Sequence, residues 1–388
     1  RGGGLIVWEG STVTIARAAF WGNRMGAIMA LDPATSVRLE DVAVRDTLAM
    51  EADGLLGRGL DCEAGAQVEV ARAAFEGNRE IGVVAYDATT SVVLTDVVVR
   101  DTQVQEADGL YGNGLEVAGG AELRAERVLL DGNRSAGAMV YNGGLLVVAD
   151  LVIRDTESEL ATASYGRGVL VQNGGRVEGA RLLSQRNRDV GVFAGGAGAT
   201  VDLTDLVVVD TRSQESGLDW GVGLYVLLGA GADIGRALFA DNRTIGVLAA
   251  DSDTTVSLTD VVVRDPLGRQ LDGWFGGGIH VESGAQVDLV RALVERNRQS
   301  GLSAIDAGSV LRATDTVLRD TEGREADGVS GRGVEAADGA RIELTRVLLD
   351  GNRDAGVYAG QPGTVVTATD VLVRGTHGDA RDGAAGRG

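Results

Sequence analysis

The sequence predicts an all-β solenoid: a right-handed parallel β-helix of about 14 turns, built from two-turn repeats. Three observations support this fold, namely a fixed period, short β-branched segments and a high glycine content. The period is that of the dipeptide Asn-Arg, which occurs seven times in the 388 residues, at spacings of 55, 55, 54, 55, 55 and 55. So regular a spacing indicates a repeat architecture in which each repeat packs against its neighbours. The asparagines are Asn23, Asn78, Asn133, Asn187, Asn242, Asn297 and Asn352.

A second column of polar residues lies between these asparagines, in a motif that resembles Arg-Asp-Thr. Each aspartate follows its asparagine by 23 residues, or once by 22, and Gly375 takes the seventh position. Asn and Asp both tolerate the left-handed backbone conformation. We therefore expect them at one corner of successive turns, each bonded to the equivalent residue of the next turn. The aspartates are Asp46, Asp101, Asp155, Asp210, Asp265 and Asp320.

The segments between these corners have the composition of strands. Residues 92–95 and 97–99 are short, β-branched and bounded by turn-forming residues. Near the start of each repeat, small apolar residues such as Leu60 and Cys62 alternate with mixed ones such as Asp61, which places the first two inward and the third outward. We therefore expect Cys62, the single cysteine, to be buried. The 59 glycines oppose an α-helical solenoid, and the leucine framework of leucine-rich repeats is missing.

The repeats predict one continuous array over residues 1–388. Their approximate bounds are 4–58, 59–113, 114–167, 168–222, 223–277, 278–332 and 333–387. Gly388 lies 36 residues after Asn352, as Gly114 does after Asn78, so the sequence ends in phase with a further repeat. This phase predicts a slice of a longer array with flanking repeats, or an array that self-associates end to end.

Composition excludes several classes of partner. The net charge is −20 and the pI about 4.5, which disfavours nucleic acid and anionic membranes as partners. No apolar run is long enough to span a membrane. A single cysteine excludes a disulfide framework and a cysteine-based metal site.

Two further charged columns recur in every repeat, and a structural role explains them most simply. They occupy nearly the same place in alternate turns, which predicts a continuous ladder of ion pairs along the array. One column is Arg17, Arg72, Arg127, Arg181, Arg236, Arg291 and Arg346; the other is Asp41, Asp96, Asp150, Asp205, Asp260, Asp315 and Asp370.

The second half of each repeat is nine residues longer than the first (32 − 23 = 9), which predicts a loop at one edge of every repeat. The loops are 48–58, 103–113, 157–167, 212–222, 267–277 and 322–332, and most are acidic. Weak Ca²⁺ binding is one interpretation of these acids. Neither the EF-hand spacing nor the calcium-binding nonapeptide is present, so a solvated acidic turn is the simpler interpretation. No other metal or cofactor is expected.

Aromatic residues make two neighbouring loops unlike the rest. Aromatic rings on a rigid sheet can stack on sugar rings, and Asp219, Asp272 and Glu282 could bond the hydroxyls. The alternative is that each loop folds its aromatic side chain down as a lid over the coil. The residues of this candidate glycan platform are Tyr165, Trp220, Tyr225, Trp274, Phe275 and His280.

The Asn/Asp corner, the turn of about 23 residues and the strand-rich coils resemble the right-handed parallel β-helix repeat proteins of the pectate-lyase-like superfamily. The likeness covers the whole chain, and the paired turns look most like the arrays of bacterial secreted and surface proteins. The resemblance implies polysaccharide lyases, glycoside hydrolases, tailspikes or adhesins. The site motifs of its enzymes are missing, however, because the chain has no lysine, no Gly-His-Gly and no Asp-Asp pair.

Two functions are therefore open. The first is a non-enzymatic, extracellular or cell-surface rod that serves as a structural stalk, an adhesin or a filament segment. The second is a carbohydrate-binding or polysaccharide-degrading protein that uses the aromatic face. Near-equal repeats favour the first, and a cleft bordered by the aromatic residues would favour the second. No catalytic residue is predicted, and His280 is expected to be an exposed outward residue.

Overall fold

The computed structural model describes residues 2–378, so the last positions of the seventh repeat and Gly388 lie outside the described residues. The chain forms two compact units. The N-terminal unit consists of Arg1–Arg188, Ala199–Leu203 and Gln214–Ser216, and the C-terminal unit consists of Asp189–Gly198, Thr204–Ser213 and Gly217–Gly388.

The described residues contain 28 strands, which alternate along the chain between two parallel sheets, and no helix. Sheet A holds the odd-numbered strands: β1 (Leu5–Val7), β3 (Gly26–Ala30), β5 (Arg58–Cys62), β7 (Ile81–Tyr86), β9 (Asn113–Ala118), β11 (Ala136–Tyr141), β13 (Arg167–Gln172), β15 (Val190–Gly195), β17 (Val222–Leu227), β19 (Ile245–Ala250), β21 (Gly277–Glu282), β23 (Ser300–Ile305), β25 (Arg332–Ala337) and β27 (Val357–Ala359).

Sheet B holds the even-numbered strands, each of which has ten residues. They are β2 (Thr12–Trp21), β4 (Ser36–Arg45), β6 (Gln67–Glu76), β8 (Ser91–Arg100), β10 (Glu122–Asp131), β12 (Leu145–Arg154), β14 (Arg176–Gln185), β16 (Thr200–Val209), β18 (Gly231–Ala240), β20 (Thr255–Arg264), β22 (Gln286–Glu295), β24 (Val310–Arg319), β26 (Arg341–Asp350) and β28 (Val365–Arg374). Strand β16 is divided between the two units.

Within each unit, every strand pairs in parallel with the strand two places along the chain. In the N-terminal unit β5 pairs with β7 and β6 with β8, and in the C-terminal unit β19 pairs with β21 and β20 with β22. A chain that visits two parallel sheets in turn, always one strand further on, winds as a coil. The predicted parallel β-helix is therefore confirmed, and the arrangement is consistent with the predicted right-handed form.

The core forms because apolar residues alternate along each strand. Val92 and Leu94 of β8 are fully buried, as are Leu60 and Cys62 of β5, while the intervening Val93 faces outward. Burial and the neighbouring Asp61 and Glu63 raise the pKa of the Cys62 thiol to about 12. The prediction that Cys62 is buried is confirmed.

Each long strand of sheet B bends at one residue in the left-handed conformation. This residue belongs to the Arg and Asp columns, whose φ values in the described chain lie between 51° and 61°. The pairing of β10 with β12 passes from Glu126↔Ala149 to Val128↔Leu151, so Arg127 is left outside the ladder. Such a corner turns the strand while leaving the side chain in solvent.

The arginines and aspartates of this corner form separate bidentate pairs and not the predicted continuous ladder. Each of the six arginines from Arg72 to Arg346 bonds the aspartate 31 residues before it, and the Nε–Oδ1 distances are 2.5 to 2.7 Å. The aspartate on the other side of each arginine, such as Asp96 for Arg72, interacts with it electrostatically but forms no hydrogen bond with it. Since one guanidinium fork matches one carboxylate, each of these arginines has a single bidentate aspartate partner. Arg72 and Arg127 also bond a neighbouring glutamate, Glu40 and Glu126 respectively.

The Asn and Asp columns do not share one corner. In sheet A, Leu60 pairs with Val83 at an offset of 83 − 60 = 23, but in sheet B Gln67 pairs with Ser91 at an offset of 91 − 67 = 24. The connection from sheet A to sheet B is therefore one residue longer in the second turn of the repeat than in the first, which shifts all later positions of that turn by one residue. As a result, Asp101 lies beside the left-handed Gly77, and Asn78 is equivalent to Thr102.

Candidate functional site

A cleft of about 280 Å³ opens on the outer face of sheet A in the C-terminal unit. Its floor is one column of outward residues on three neighbouring strands, because Tyr225 of β17 pairs with Leu248 of β19 and Leu248 pairs with His280 of β21. The acidic loops that precede β17 and β21 supply its walls. The lining residues are Asp219, Trp220, Val222, Tyr225, Thr244, Ile245, Leu248, Arg269, Phe275, His280 and Glu282.

Trp220 forms an aromatic wall of the cleft. Its ring stacks on Tyr225, with centroids 5.6 Å apart and planes 23° from parallel. Tyr225 is held in turn by the edge of Phe193, at 5.6 Å and 87°. Trp220 nevertheless remains 39% exposed. It therefore covers the coil, as the lid interpretation expects, and also presents aromatic surface to solvent.

The loop backbone places an aromatic residue at this position by a repeated turn. The equivalent residue has φ between 63° and 70° in all six loops, and the glycine after it has φ between 94° and 110°. Only glycine fits the second position, since a Cβ at Gly276 would lie 2.7 Å from Cβ of Arg298. The left-handed residues are Leu56, Tyr111, Tyr165, Trp220, Phe275 and Ser330.

The cleft is open because two strands begin with small side chains. The first strand residue after each loop is Arg58, Asn113, Arg167, Val222, Gly277 and Arg332 in turn. Where it is arginine, the side chain can reach the outward residue three positions later, as in Arg58–Asp61 at 3.1 Å and Arg332–Glu335 at 2.6 Å. Val222 and Gly277 cannot fill this space. The loss of a large side chain at these two positions thus explains why a cleft forms here.

Arg269 is fixed at the rim of the cleft by two carboxylates. Its guanidinium lies 3.2 Å from Asp219 and bonds Asp272 through Nε at 3.0 Å. The bond to Asp272 raises the pKa of Arg269 and lowers that of Asp272. The same guanidinium lies 5.3 Å from the ring centroid of Phe275. Asp219 Oδ1 is buried beside the guanidinium of Arg269, where it forms an ion pair without a hydrogen bond of good geometry.

His280 and Glu282 form a second polar pair at the floor. The distance from His280 Nε2 to Glu282 Oε2 is 3.0 Å, and this bond lowers the pKa of the Glu282 carboxyl. The side chain of His280 is only 18% exposed. His280 therefore faces outward as predicted but lies partly buried in the cleft instead of exposed on an open sheet.

Four of the six predicted platform residues line the cleft, and two do not. Trp274 lies beside Phe275 in sequence, but its ring packs under Arg324, whose guanidinium is 4.0 Å from the centroid. Tyr165 belongs to the N-terminal unit, where Arg167 lies 5.0 Å from its ring centroid. Sequence reasoning missed Arg269, Thr244 and Leu248. The switch from Arg or Asn to Val222 and Gly277 was the signal that could have located the cleft.

The equivalent position in the N-terminal unit is filled with polar side chains. Arg58 bonds Asp61, Glu63 and Glu80 at 2.9 to 3.1 Å. One repeat later, Glu116 accepts hydrogen bonds from Asn113 at 3.0 Å and Tyr141 at 2.9 Å.

Burial raises the pKa of Asp61 to about 7, although Arg58 lowers it in part. These buried networks contrast with the aromatic, open cleft of the C-terminal unit.

Within residues 2–378, no group of three or more His, Cys, Asp or Glu side chains is arranged to hold a metal ion. Nor does the same range contain a helix long and apolar enough to cross a membrane.

The chain is a parallel β-helix repeat protein. No protein-family model matches it, and no curated protein sequence matches it.

Solved structures of similar fold include the pectate lyase Pel9A, with 11% identity, 83% of this chain and 72% of that chain covered, and a TM-score of 0.38. The A-module of the Azotobacter vinelandii mannuronan C-5 epimerase AlgE6 has 13% identity, 94% and 91% coverage, and a TM-score of 0.34. PfbA, a surface adhesin of Streptococcus pneumoniae, has 8% identity, 97% and 88% coverage, and a TM-score of 0.26.

Proposed function

We propose that this protein is a non-enzymatic, carbohydrate-binding β-helix of the cell exterior, acting as an adhesin. One observation carries the proposal: Val222 and Gly277 leave open a cleft walled by Trp220 and Phe275 and floored by polar side chains. An aromatic wall beside a few convergent polar groups is the composition of a small-ligand site. The repeated coils hold that site on a rigid sheet.

A sugar ring would bind by stacking and by hydrogen bonds together. The apolar face of a pyranose would lie on Trp220, whose orientation is fixed by the stack on Tyr225. Its hydroxyl groups would donate to the carboxylates of Glu282 and Asp219, whose side chains are 38% and 37% exposed. Arg269 would donate to the ring substituents from the rim. Because these groups are already fixed by neighbours, little ordering would be needed on binding.

The charge state of the cleft favours binding over glycosidic cleavage. A glycosidase needs a carboxylic acid that still carries its proton near neutral pH. Glu282 has a lowered pKa through His280, which keeps it ionised. Asp219 lies 3.2 Å from the guanidinium of Arg269, so its charge is balanced. Both carboxylates are therefore suited to accept hydrogen bonds from hydroxyl groups.

A glycan array with matched variants tests this proposal. Gly277→Arg restores the side chain that fills the equivalent position at Arg332, and a Cβ there would meet nothing closer than 3.8 Å. Trp220→Ala removes the stacking wall. Trp274→Ala and Tyr111→Ala are the controls, because both remove a half-exposed aromatic outside the cleft. We expect binding to be lost in the first two variants and kept in the controls, with unchanged circular dichroism in all four.

The competing function is a structural stalk, which the identical Arg–Asp pairs of successive repeats favour. An array that shows no binding, or binding that Gly277→Arg does not change, would refute the carbohydrate site and leave the stalk.

A further inference from the structure

The fixed charges of the cleft do not balance. Arg269 is the cation of the lining, and it is already paired with Asp219 and bonded to Asp272. Two carboxylates therefore offset one guanidinium at the rim. Glu282 adds a third carboxylate at the floor. Counted together, Arg269, Asp219, Asp272 and Glu282 carry a formal net charge of −2, which is 1 − 3.

Glu282 is the carboxylate left for a ligand. Its side chain is 38% exposed, and its bonded partner is the imidazole of His280 at 3.0 Å. That hydrogen bond favours the ionised form, so the carboxyl is an anion at neutral pH. One hydrogen bond leaves most of the acceptor sites of a carboxylate unused. A donor that carries positive charge would satisfy them best.

The aromatic walls also favour a cation. Trp220 and Phe275 wall the space above the floor, and the faces of aromatic rings attract positive charge. Phe275 already has one such contact, with Arg269. The net charge of −20 would draw cationic ligands towards the protein and repel acidic polysaccharides.

We infer that the ligand of this cleft is an amino sugar, with its ring on Trp220 and its protonated primary amine hydrogen-bonded to Glu282. This inference rests on the proposed carbohydrate-binding function and names its ligand class. An N-acetylated sugar would place a neutral amide beside Glu282, and a uronate would place a second anion there. Both lose the charge-assisted hydrogen bond that a primary ammonium makes.

Three tetrasaccharides of one backbone test the inference: those of glucosamine, N-acetylglucosamine and glucose. They differ only in the substituent at the second ring carbon. We expect calorimetry at neutral pH to show the glucosamine tetramer binding at least about tenfold tighter than the glucose tetramer, as a charge-assisted hydrogen bond predicts. Added salt should reduce this preference.

Glu282→Gln should abolish the preference, because it keeps the shape and removes the charge. Asp288→Asn removes one negative charge from sheet B of the same unit, outside the lining residues, and should keep it. Equal or tighter binding of the glucose tetramer, or an unchanged preference in Glu282→Gln, would overturn the amino-sugar inference.

The array separates this failure from failure of the proposed function. If the protein binds an uncharged or acidic glycan and Gly277→Arg abolishes that binding, the carbohydrate site is supported and only the amino-sugar inference is refuted. The absence of any such binding would refute both.

Discussion

The side chain of Asn133 accepts a hydrogen bond from the backbone N–H of Thr102 at 3.2 Å, across two neighbouring turns of the N-terminal unit. Its Nδ2 donates to the carbonyl of Val99 at 3.0 Å. Asn133 is fully buried, and its backbone is not in the left-handed conformation. The asparagine column therefore satisfies backbone groups inside the coil, where the strands turn and the ladder of sheet bonds ends.

Asn133→Ala should destabilise the N-terminal unit by about 2–5 kcal/mol, because a buried N–H and a buried C=O both lose their partner. Thr102→Val is the matched control. The Thr102 hydroxyl is buried without a hydrogen-bond partner, and valine keeps the backbone N–H that Asn133 needs. We expect Thr102→Val to be neutral or stabilising in urea unfolding. Equal losses in the two variants would contradict this role of Asn133.

Among the six asparagines from Asn78 to Asn352, Asn297 alone lacks this bond, and the sequence explains why. Pro266 stands where other repeats have Thr, and proline has no N–H to donate. Oδ1 of Asn297 is accordingly buried without a donor, and its Nδ2 is buried without a partner as well. Pro266→Thr should restore the donor and stabilise the C-terminal unit by about 1 kcal/mol. A rise in the thermal midpoint checks this, and no rise in a Pro266→Thr, Asn297→Ala double variant is the control.

The period of the repeats was enough to predict the fold, since alternation of residues such as Leu60 and Asp61 fixes which side chains enter the core. The register was harder to predict. The extra residue that separates Asn78 from Asp101 lies in a turn of ordinary composition, and only the strand pairing shows on which side of the corner it falls. The sequence pattern therefore aligned Asn78 with Asp101, whereas in the structure Asn78 is equivalent to Thr102, one residue later.

The candidate site was predicted in part. Aromatic residues that break the repeat pointed to Trp220 and Phe275, because function concentrates where repeats differ. The direction of each ring was not predictable, since Trp274 and Phe275 are adjacent yet pack against Arg324 and Arg269. Arg324 and Arg269 occupy a loop position whose residue type varies between repeats. Only the geometry of the loops therefore shows which aromatic ring each arginine contacts.

Asp61 predicts an unusual dependence of stability on pH. Burial raises its pKa to about 7, despite the ion pair with Arg58. Between about pH 4 and 7 the folded state therefore holds a proton that the unfolded state has lost. The contribution of this group to stability is present at low pH and is lost as pH rises through that window. The pKa of Glu116 is raised as well, also by burial, which adds in the same direction.

Asp61→Asn should remove most of this slope and stabilise the N-terminal unit at neutral pH by up to about 4 kcal/mol. Urea unfolding at pH values from 4 to 8 measures this stability change, with labelling of the buried Cys62 thiol as the readout of unfolding. Glu69→Gln, which changes an exposed carboxylate on sheet B, should leave the profile unchanged. A wild-type stability that rises from pH 4 to 7 and is unaffected by Asp61→Asn would refute the raised pKa.

Substitution by alanine should destabilise the fold at one of two adjacent glycines and have almost no effect at the other. Gly276 has φ 94°, and a Cβ there would lie 2.7 Å from Cβ of Arg298. Gly276→Ala must therefore displace the loop that carries Phe275, at a cost of about 1–3 kcal/mol. Gly277 has no positive φ, and its Cβ would meet only atoms of Ser300 at 3.8 Å. Gly277→Ala should change stability by less than about 0.5 kcal/mol.

Thermal unfolding and saccharide binding, measured on both glycine variants, separate the backbone of the loop from the space in the cleft. We expect Gly276→Ala to lower the thermal midpoint and weaken binding, because Phe275 moves. Gly277→Ala should keep both, whereas Gly277→Arg keeps the fold and loses binding. This order follows from one geometric cause: residue 276 sets the path of the loop, and residue 277 sets the volume beneath it. Equal destabilisation by Gly276→Ala and Gly277→Ala would show that the loop does not depend on this turn.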